Sequence, residues 1–517
     1  MLIDFQYHTT TRNLLLSIIN EKGDLEIKKY IWEQPYKYVT CLHDDVDREL
    51  KYTSWDKKPI KKILSNNPDR YSVYEFIDFL PKEEREKIYG YAIPNIYFID
   101  IETASDEHGY STVEDARCEI QTISIVYDDK IIVLGTKELG RDSEKKIIRD
   151  TNEYVKKYDK RYQFKYINCQ NEFDMLKYFF EKMLVTMPCI TGWNFLDYDW
   201  RYLVNRAKKI EKHSNFGDPI KIKLSECSPT KKFEPVFGTV YEMPMHKLIY
   251  DYMEIYKKLD TSIKIKESNS LDFVSENILG LKKIKVVDSK GNPISLLELY
   301  ETDFERFVYY NTIDSVLVQL IHNKMRYIEI IFGISAIAKI SAMDTFSVRG
   351  NGIGSLAITE GVLRDRFREM HNVIFFKDRN KQPNLNSGIS IEGGYVKEPV
   401  RGMNRWVACY DFASLYPSVQ RQFYISPENY IGMLDMLDNN YYVDFLTSTK
   451  KIIQPSEMVV LSNSCVFLKR KSATIDMLGS VYKERKADKK ISLAERELME
   501  VKIKQLDILK KEIEMEM

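Results

Sequence analysis

The 517-residue sequence lacks the features of secreted, zinc-binding and membrane proteins. Its seven cysteines are scattered and include no Cys-x-x-Cys pair, which argues against a disulfide framework or a zinc site and predicts buried free thiols. No uncharged apolar run reaches the roughly 18 residues that a membrane-spanning helix needs. The first residues contain no basic segment followed by an apolar one, so they do not resemble a secretory signal. We therefore expect a cytoplasmic protein with no membrane association.

A surplus of positive charge, the usual mark of a nucleic-acid-binding protein, is also missing. The chain has 77 Lys and Arg against 77 Asp and Glu, which gives a formal net charge of zero. This balance argues only weakly against nucleic-acid binding, because local patches matter more than the total. An enzyme that collects carboxylates to hold metal ions also cancels part of its own basic charge. The length allows three or four domains, and 44% hydrophobic and 30% charged residues predict ordinary globular ones.

The order of patterns along the chain predicts a multidomain protein of the α/β and α+β classes. From Asn95 onward, β-like runs alternate with amphipathic helical stretches, which indicates a mixed sheet with helices on its faces. Residues 211–250 alternate in a way that suits a long β-hairpin or an exposed excursion. The polar residues 376–394 are typical of a loop. Residues 405–412, Arg-Trp-Val-Ala-Cys-Tyr-Asp-Phe, predict a strand, and residues 491–517 predict an amphipathic helix.

A strand-like segment, Phe98-Ile-Asp-Ile-Glu-Thr103, carries the first candidate metal ligands. Asp100 and Glu102 share one face of the strand. Two neighbouring carboxylates repel each other unless a cation lies between them, and a divalent metal ion is the natural candidate. The simpler explanation, an exposed acidic pair at the end of a strand, is common.

Two further segments carry acidic residues at predicted helices. Asp197 and Asp199, in Thr191-Gly-Trp-Asn-Phe-Leu-Asp-Tyr-Asp199, lie at a helix start, where an N-cap aspartate would be ordinary. Tyr310 and Asp314 are four residues apart and share one face of a helix. Alone, this pair is better explained as a core-facing tyrosine beside a solvated aspartate.

Taken together and in this order, the three segments resemble the exonuclease motifs of the DEDD superfamily, tyrosine type. The resemblance implies that Tyr310 orients the attacking water and that two Mg²⁺ or Mn²⁺ ions bind in the site. Such ions, roughly 4 Å apart, would activate the water and stabilise the leaving oxygen. We prefer Asp199 to Asp197, because the family pattern places its aspartate directly after an aromatic residue. The implied ligands are Asp100, Glu102, Asp199 and Asp314.

A fourth motif, Asp411-Phe-Ala-Ser-Leu-Tyr-Pro-Ser-Val419, resembles motif A of the family B DNA polymerases. The following Arg421-Gln-Phe-Tyr-Ile-Ser-Pro-Glu428 resembles the T-even-like bacteriophage members of that family. By this resemblance Asp411 binds the catalytic metal ions and Tyr416 excludes ribonucleotides. The residues expected to bind the deoxynucleoside triphosphate are Ser414, Leu415, Tyr416, Arg485 and Lys489.

The same resemblance implies contacts to DNA. Gly393 and Gly394 occupy the place of a template-contacting linker, although Ile391 replaces the family's tyrosine. Asn194 and Phe195 are candidates for contacting a frayed, single-stranded 3′ end, with the neighbouring Leu196 as a further wedge. The hairpin segment, roughly 219–247, is expected to help separate primer from template.

Several family segments are missing from the sequence, namely the second palm carboxylate, the returning fingers helix and the thumb. We therefore expect a split or truncated polymerase whose second chain supplies these parts, with a sliding clamp and other replisome proteins as possible partners. The alternatives are a non-catalytic DNA-binding subunit and a stand-alone exonuclease. The expected domains are an N-terminal domain (1–92, completed by 331–390), a ribonuclease H-like exonuclease domain (93–330), part of the palm (391–468) and the first part of the fingers (469–517).

Overall fold

The computed structural model describes most of the chain, which divides into two compact units. One unit contains Met1–Pro35 and Val73–Gly361, and the other contains Tyr36–Ser72 and Val362–Met517. The described residues are 1–40, 53–54, 59–213, 220, 231–233, 241–244, 246–260, 267–287, 291–347, 352–369, 372–373, 397–403, 405–412, 414–433, 456–461 and 465–516.

The secondary structure of these residues combines strands and helices along nearly the whole chain. The strands are β1 (Leu2–His8), β2 (Asn13–Ile19), β3 (Leu25–Ile31), β4 (Tyr36–Thr40), β5 (Thr53–Ser54), β6 (Ile60–Leu64), β7 (Ile96–Thr103), β8 (Ser105–Asp106), β9 (Gly109–Tyr110), β10 (Ile120–Tyr127), β11 (Lys130–Gly135), β12 (Gln163–Asn168), β13 (Cys189–Gly192), β14 (Lys231–Phe233), β15 (Tyr241–Met243), β16 (Leu248–Asp251), β17 (Phe346–Ser347), β18 (Gly352–Ile353), β19 (Asn372–Val373), β20 (Tyr430–Met433), β21 (Met458–Val460) and β22 (Cys465–Leu468). The helices are α1 (Arg70–Asp78), α2 (Lys82–Tyr89), α3 (Arg141–Tyr154), α4 (Glu172–Tyr178), α5 (Arg201–His213), α6 (Tyr252–Leu259), α7 (Leu271–Leu279), α8 (Leu296–Thr302), α9 (Phe304–Met325), α10 (Tyr327–Ala338), α11 (Ala342–Thr345), α12 (Ser355–Glu369), α13 (Leu415–Gln422) and α14 (Ala473–Glu516). Short 3-10 or π-helical turns occupy Lys156–Tyr158, Phe179–Met183, Leu184–Thr186 and Leu196–Trp200.

A six-stranded mixed sheet forms the centre of the first unit, in the order β12-β11-β10-β7-β13-β16. β7 pairs antiparallel with β10 and parallel with β13, so it lies inside the sheet with a neighbour on each side. Successive side chains of β7 point to opposite faces of the sheet. Ile99 and Ile101 pack on one face, and Phe98 packs on the other. The predicted mixed sheet flanked by helices is confirmed.

Helices cover both faces of this sheet. The face of Ile99 and Ile101 packs against a cluster that includes Phe179, Trp200 and Leu203. The opposite face packs against α9, whose apolar residues are almost all buried. Because α9 crosses the centre of the sheet, the middle of this helix lies beside the middle of β7, and this position determines the functional site.

The first unit also contains a small N-terminal sheet and part of the predicted hairpin. β1, β2 and β3 form an antiparallel meander in which every residue of β2 is buried. β14 and β15 pair antiparallel, from Lys231 opposite Met243 to Phe233 opposite Tyr241, which agrees with the predicted hairpin. The rest of the hairpin segment lies largely outside the described residues.

The second unit carries the motif resembling polymerase motif A. The strand predicted for residues 405–412 is wrong, because these residues have no regular structure and Trp406 and Tyr410 are 99% and 91% exposed. A strand requires a hydrogen-bonding neighbour, and none of the described residues provides one here. The residues that follow form α13, and the predicted C-terminal helix forms the second half of the 44-residue α14.

Two remaining sequence expectations concern cysteines and membranes. Cys118, Cys169 and Cys189 are buried free thiols, whereas Cys409 is exposed, so that prediction was wrong for Cys409. Among the described residues, none of the helices has the length and apolarity to span a membrane.

Candidate metal-binding carboxylate site

Three carboxylates from two elements meet at the centre of the first unit. Asp100 and Glu102 project from the same face of β7, and Asp314 projects from α9, which packs on that face. One ligand atom from each of the three lies within 4.8 Å of the other two. Oxygen atoms at this spacing are suitable ligands for a hard divalent cation such as Mg²⁺.

The electrostatics of this group also fit a cation. Burial and the neighbouring Asp314 carboxylate raise the pKa of Asp100 to about 8, and burial raises the pKa of Glu102 well above its ordinary value. Oδ1 of Asp314 is buried and makes no hydrogen bond. A cation would relieve the repulsion and would give this oxygen a ligand bond, so the residues present fit a metal ion.

Asp199 lies beside this group but is held differently. The π-helical turn Leu196–Trp200 buries Asp199 and leaves Asp197 exposed. Oδ1 of Asp199 accepts a hydrogen bond from the backbone N–H of Ile101, 3.0 Å away. Burial and the charge of Asp100 raise the pKa of Asp199. Asp199 is therefore buried next to the site, whereas Asp197 faces away from the interior.

Asp251 fixes the segment that carries Asp199. Its Oδ1 caps α6 by accepting the backbone N–H of Met253 at 2.9 Å and of Glu254 at 3.3 Å. Its Oδ2 accepts the backbone N–H of Leu196 at 3.1 Å. Gly192 permits the close approach of this segment, because a Cβ there would lie 2.3 Å from the carbonyl oxygen of Ile99.

Tyr310 lies one helical turn before Asp314, on the face of α9 that meets β7. Its hydroxyl interacts with the Asp314 carboxylate, and burial raises the pKa of Tyr310 further above its ordinary value. The phenol therefore keeps its proton at neutral pH and remains a hydrogen-bond donor.

Two residues of the site were missed by the sequence analysis. Nζ of Lys283 lies 2.6 Å from Oδ2 of Asp314 and 5.2 Å from the centre of the Tyr310 ring. Nδ2 of Asn311 donates to Oδ2 of Asp100 at 2.7 Å, while its Oδ1 accepts from Oγ1 of Thr122 at 3.0 Å. Lys283 lies in the lysine-rich sequence Leu-Lys-Lys-Ile-Lys, and nothing in its sequence neighbourhood indicates a functional role. Asn311 lies three residues before Asp314, and this helical spacing was the one available clue.

The residues expected to contact DNA have different positions. Phe195 and Leu196 are buried, and Phe195 packs against Trp200, so the expectation that these side chains wedge a DNA strand is wrong. Asn194 is partly exposed in a left-handed backbone conformation. Gly393 and Gly394 lie outside the described residues.

In the second unit, two of the predicted nucleotide-binding residues come together. Nη1 of Arg485 on α14 donates to Oγ of Ser414, 2.9 Å away, at the start of α13. The guanidinium of Arg421 on α13 lies 5.6 Å from the ring centre of Tyr482 on α14. The side chains of Asp411, Leu415, Tyr416 and Lys489 are exposed.

The fold and the site define the general class of the protein as a mixed α/β protein whose acidic site suits a divalent cation. Residues 46–271 match the exonuclease domain of family B DNA polymerases. This match covers less than half of the chain, and it identifies that part as similar to an exonuclease domain of the family B type.

Curated relatives agree with this match and with the resemblance to T-even-like phage enzymes. The chain is 28% identical over 335 residues to the DNA-directed DNA polymerase of Escherichia phage RB69, which covers 64% of this chain and 34% of the relative. The chain is also 27% identical over 286 residues to the DNA-directed DNA polymerase of Enterobacteria phage T4. This alignment covers 54% of this chain and 28% of the relative. The chain is 26% identical over 392 residues to DNA polymerase 1 of Saccharolobus solfataricus. This alignment covers 74% of this chain and 40% of the relative. The aligned residues thus span about a third of the length of these phage relatives.

Proposed function

We propose that the chain is a 3′→5′ exonuclease that removes nucleotides from single-stranded 3′ ends of DNA and proofreads for a polymerase. The observation that carries the proposal is the meeting of Asp100, Glu102 and Asp314 within 4.8 Å, with Tyr310 on the same helix face as Asp314. The exonuclease domain match supports the same reaction. We also propose that the sheet and its helices form a ribonuclease H-like domain.

The proposed mechanism assigns a task to each residue. Asp100, Glu102, Asp199 and Asp314 would hold two divalent ions, Mg²⁺ or Mn²⁺. Ions bound there would supply an activated water and stabilise the leaving oxygen. The protonated Tyr310 hydroxyl donates a hydrogen bond that orients the water. The Lys283 ammonium adds positive charge beside Asp314, where it would stabilise the negative charge that develops on the scissile phosphate in the transition state.

Degradation of a 5′-labelled DNA single strand tests this proposal. The whole chain with Mg²⁺ or Mn²⁺ should produce a ladder of products shortened from the 3′ end, and the double variant Asp100→Ala, Glu102→Ala should produce none. Asp142→Ala is the matched control, because its side chain is 96% exposed in the same unit. Circular dichroism should show that all three proteins are folded.

The main alternative is a DNA-binding subunit without catalysis. It predicts that DNA binding persists while calorimetry detects no Mg²⁺ or Mn²⁺ binding that depends on the carboxylates. Intact substrate after prolonged incubation with either ion, together with that calorimetric result, would contradict the exonuclease proposal.

We further propose that the second unit contributes half of a polymerase nucleotide site. Its support is the pairing of Arg485 with Ser414, which joins the start of α13 to α14. In this proposal Asp411 binds a metal ion, Tyr416 excludes ribonucleotides and Lys489 contacts the triphosphate. The second palm carboxylate would come from residues outside this sequence, on the same or another polypeptide. Binding of a deoxynucleoside triphosphate to the chain should weaken in Arg485→Ala and not in Lys471→Ala, whose side chain is 85% exposed.

The hairpin of β14 and β15 is proposed to separate primer from template. Replacing residues 231–243 by a short glycine linker should slow excision from duplex DNA and leave excision from single strands unchanged. An equal loss on both substrates would contradict this role.

A further inference from the structure

The inference concerns residues 281–287, which we call the Lys283 segment. This segment follows α7 and brings Lys283 to the carboxylates. It has no helix or strand structure of its own over most of its length, so backbone hydrogen bonds to neighbouring strands do not determine its position. A lysine side chain is long and flexible, and the position of its ammonium therefore depends on how well the backbone beneath it is held.

Side chains from three helices bind the backbone of the Lys283 segment. Oδ1 of Asp272 on α7 accepts the N–H of Lys283 at 2.7 Å. The hydroxyl of Tyr154, the last residue of α3, donates to the carbonyl oxygen of Lys282 at 2.6 Å. These two contacts fix the point at which the Lys283 side chain leaves the chain.

Arg306 on α9 holds the other end of the segment. Its Nη1 donates to the carbonyl oxygen of Val287 at 2.8 Å, and its Nη2 donates to that of Lys285 at 3.1 Å. Carbonyl groups two residues apart point the same way in an extended chain, and the planar fork of a guanidinium can reach both. An ammonium, which is a single point of charge on a flexible stem, cannot span them in the same way.

The position of Arg306 on α9 relates these contacts to the site. Arg306, Tyr310 and Asp314 follow one another at intervals of four residues and therefore lie along one face of the helix. The Lys283 segment runs along this face, with its far end bound to Arg306 and the Lys283 ammonium at Asp314. Apolar contacts assist, because Ile284 packs against the main core and Val286 packs in the cluster of Phe307.

We propose that Arg306 is a positioning residue of the exonuclease site. By binding the carbonyl oxygens of Lys285 and Val287, it keeps the Lys283 segment against α9, so that the Lys283 ammonium stays between Asp314 and Tyr310. The inference rests on the proposed exonuclease function for its catalytic consequence. The physical part, that Arg306 holds Lys283 in place, is independent of catalysis.

The test compares the wild-type chain with two variants, Arg306→Met and Arg306→Lys. Arg306→Met keeps the aliphatic stem and removes both hydrogen-bond donors. Arg149→Met is the matched control, since Arg149 lies in the same unit, its side chain is 72% exposed and it pairs with Asp150. Hydrogen–deuterium exchange of the peptide that contains Lys283 should become faster in Arg306→Met and stay unchanged in the control. Acylation of the Lys283 amine, located by mass spectrometry, should increase in parallel.

Kinetics on single-stranded DNA should separate kcat from KM. We expect kcat of Arg306→Met to fall about tenfold with little change in KM, because Lys283 is displaced from the reacting phosphate while most DNA contacts remain. Arg306→Lys should recover only part of kcat. Tyr154→Phe, which loses a single hydroxyl donor, should shift exchange and kcat in the same direction by a smaller amount.

The outcomes distinguish this inference from the proposed function. Wild-type exchange and acylation rates in Arg306→Met would overturn the inference, and so would faster exchange with an unchanged kcat. If the wild-type chain degrades no DNA, the exonuclease proposal fails. In that case, the exchange and acylation rates still decide whether Arg306 holds Lys283.

Discussion

The ammonium of Lys283 lies 2.6 Å from Oδ2 of Asp314, inside a site that is otherwise acidic. The Asp314 carboxylate and the Tyr310 hydroxyl raise the pKa of Lys283, although burial alone would lower it. The same ion pair partly offsets the burial that raises the pKa of Asp314. Lys283 is therefore charged at neutral pH and neutralises part of the repulsion among the carboxylates.

Replacing Lys283 with Met should destabilise the metal-free protein and lower exonuclease activity. The change leaves Asp314 buried without its cation, and breaking such a pair costs at most about 3 kcal/mol here, since Lys283 retains 28% exposure. Thermal unfolding without metal should show a lower Tm, and added Mg²⁺ should recover part of the loss because it supplies positive charge to the same carboxylates. Lys282→Met, whose side chain is 63% exposed, serves as the control. An unchanged Tm in Lys283→Met would contradict a stabilising role of the pair.

The raised pKa of Asp100 predicts how stability depends on pH. A carboxyl group with a pKa of about 8 in the folded state and an ordinary value of 3.8 binds its proton more tightly when folded. The folded state then carries more protons between these values, so the free energy of unfolding falls as the pH rises from about 4 to about 8. We expect the Tm of the metal-free chain to be lower at pH 9 than at pH 6.

Mg²⁺ should reverse this trend, because its binding requires deprotonated carboxylates and releases their protons. The rise in Tm on adding Mg²⁺ should therefore be larger at pH 9 than at pH 6. Differential scanning calorimetry of the wild type and of Asp100→Asn checks both statements, and the variant should show a flatter dependence on pH. An equal effect of Mg²⁺ at both pH values would contradict the assignment of the titrating group to the metal site.

The sequence predicted the carboxylates for identifiable physical reasons. The two-residue period of a strand placed Asp100 and Glu102 on one face, and the four-residue spacing in a helix placed Tyr310 and Asp314 on one face. These rules depend only on local geometry, and the structure places all four residues accordingly. That the strand and the helix meet was suggested by the order of the motifs in a known family, and composition alone did not indicate it.

Other features depend on tertiary contacts and could not be predicted locally. Lys283 acquires its place because helices α3, α7 and α9 hold its backbone, and a lysine-rich stretch is usually only a solvated surface. The resemblance predicted that Phe195 contacts DNA, but its neighbours bury it. The apolar run from Trp406 to Tyr410 predicted a strand at residues 405–412, yet an apolar run does not provide the neighbouring strand that a ladder of hydrogen bonds requires.

Asn311→Leu should weaken metal binding, because Asn311 orients the Asp100 carboxylate by donating a hydrogen bond to its Oδ2. The leucine removes the donor to Asp100 and leaves the Thr122 hydroxyl without its acceptor, at a cost of about 1–3 kcal/mol in the free energy of unfolding. Loss of such an orienting contact typically lowers metal affinity by about 10-fold to 100-fold. Isothermal titration calorimetry with Mn²⁺ measures this change.

Gln319→Leu is the matched control for Asn311→Leu. Gln319 is a buried amide two turns further along α9, and it bonds to the carbonyl of Asp128 and to the Tyr162 hydroxyl. Its replacement should cost similar stability and leave Mn²⁺ affinity unchanged. Equal affinities in the two variants would show that Asn311 supports the fold alone.

Asp251→Asn should uncouple the position of Asp199 from the capping of α6. The amide oxygen can still accept the N–H groups of Met253 and Glu254, whereas the amide nitrogen cannot accept the N–H of Leu196. That buried N–H then loses its partner, which costs about 1–3 kcal/mol. Because Leu196 begins the turn that carries Asp199, we expect exonuclease activity to fall about tenfold.

Ser295→Ala separates this effect from a general loss of helix capping. Ser295 caps α8 by accepting the N–H of Glu298 at 3.0 Å, away from the carboxylates. Its replacement should lower the Tm, since losing an N-cap costs about 1 kcal/mol, and should leave the exonuclease rate at its wild-type value. Single-turnover rates at saturating Mg²⁺ provide the comparison. If Asp251→Asn lowers the Tm as Ser295→Ala does and keeps the full rate, then the bond from Leu196 to Asp251 stabilises the fold and does not set the position of Asp199.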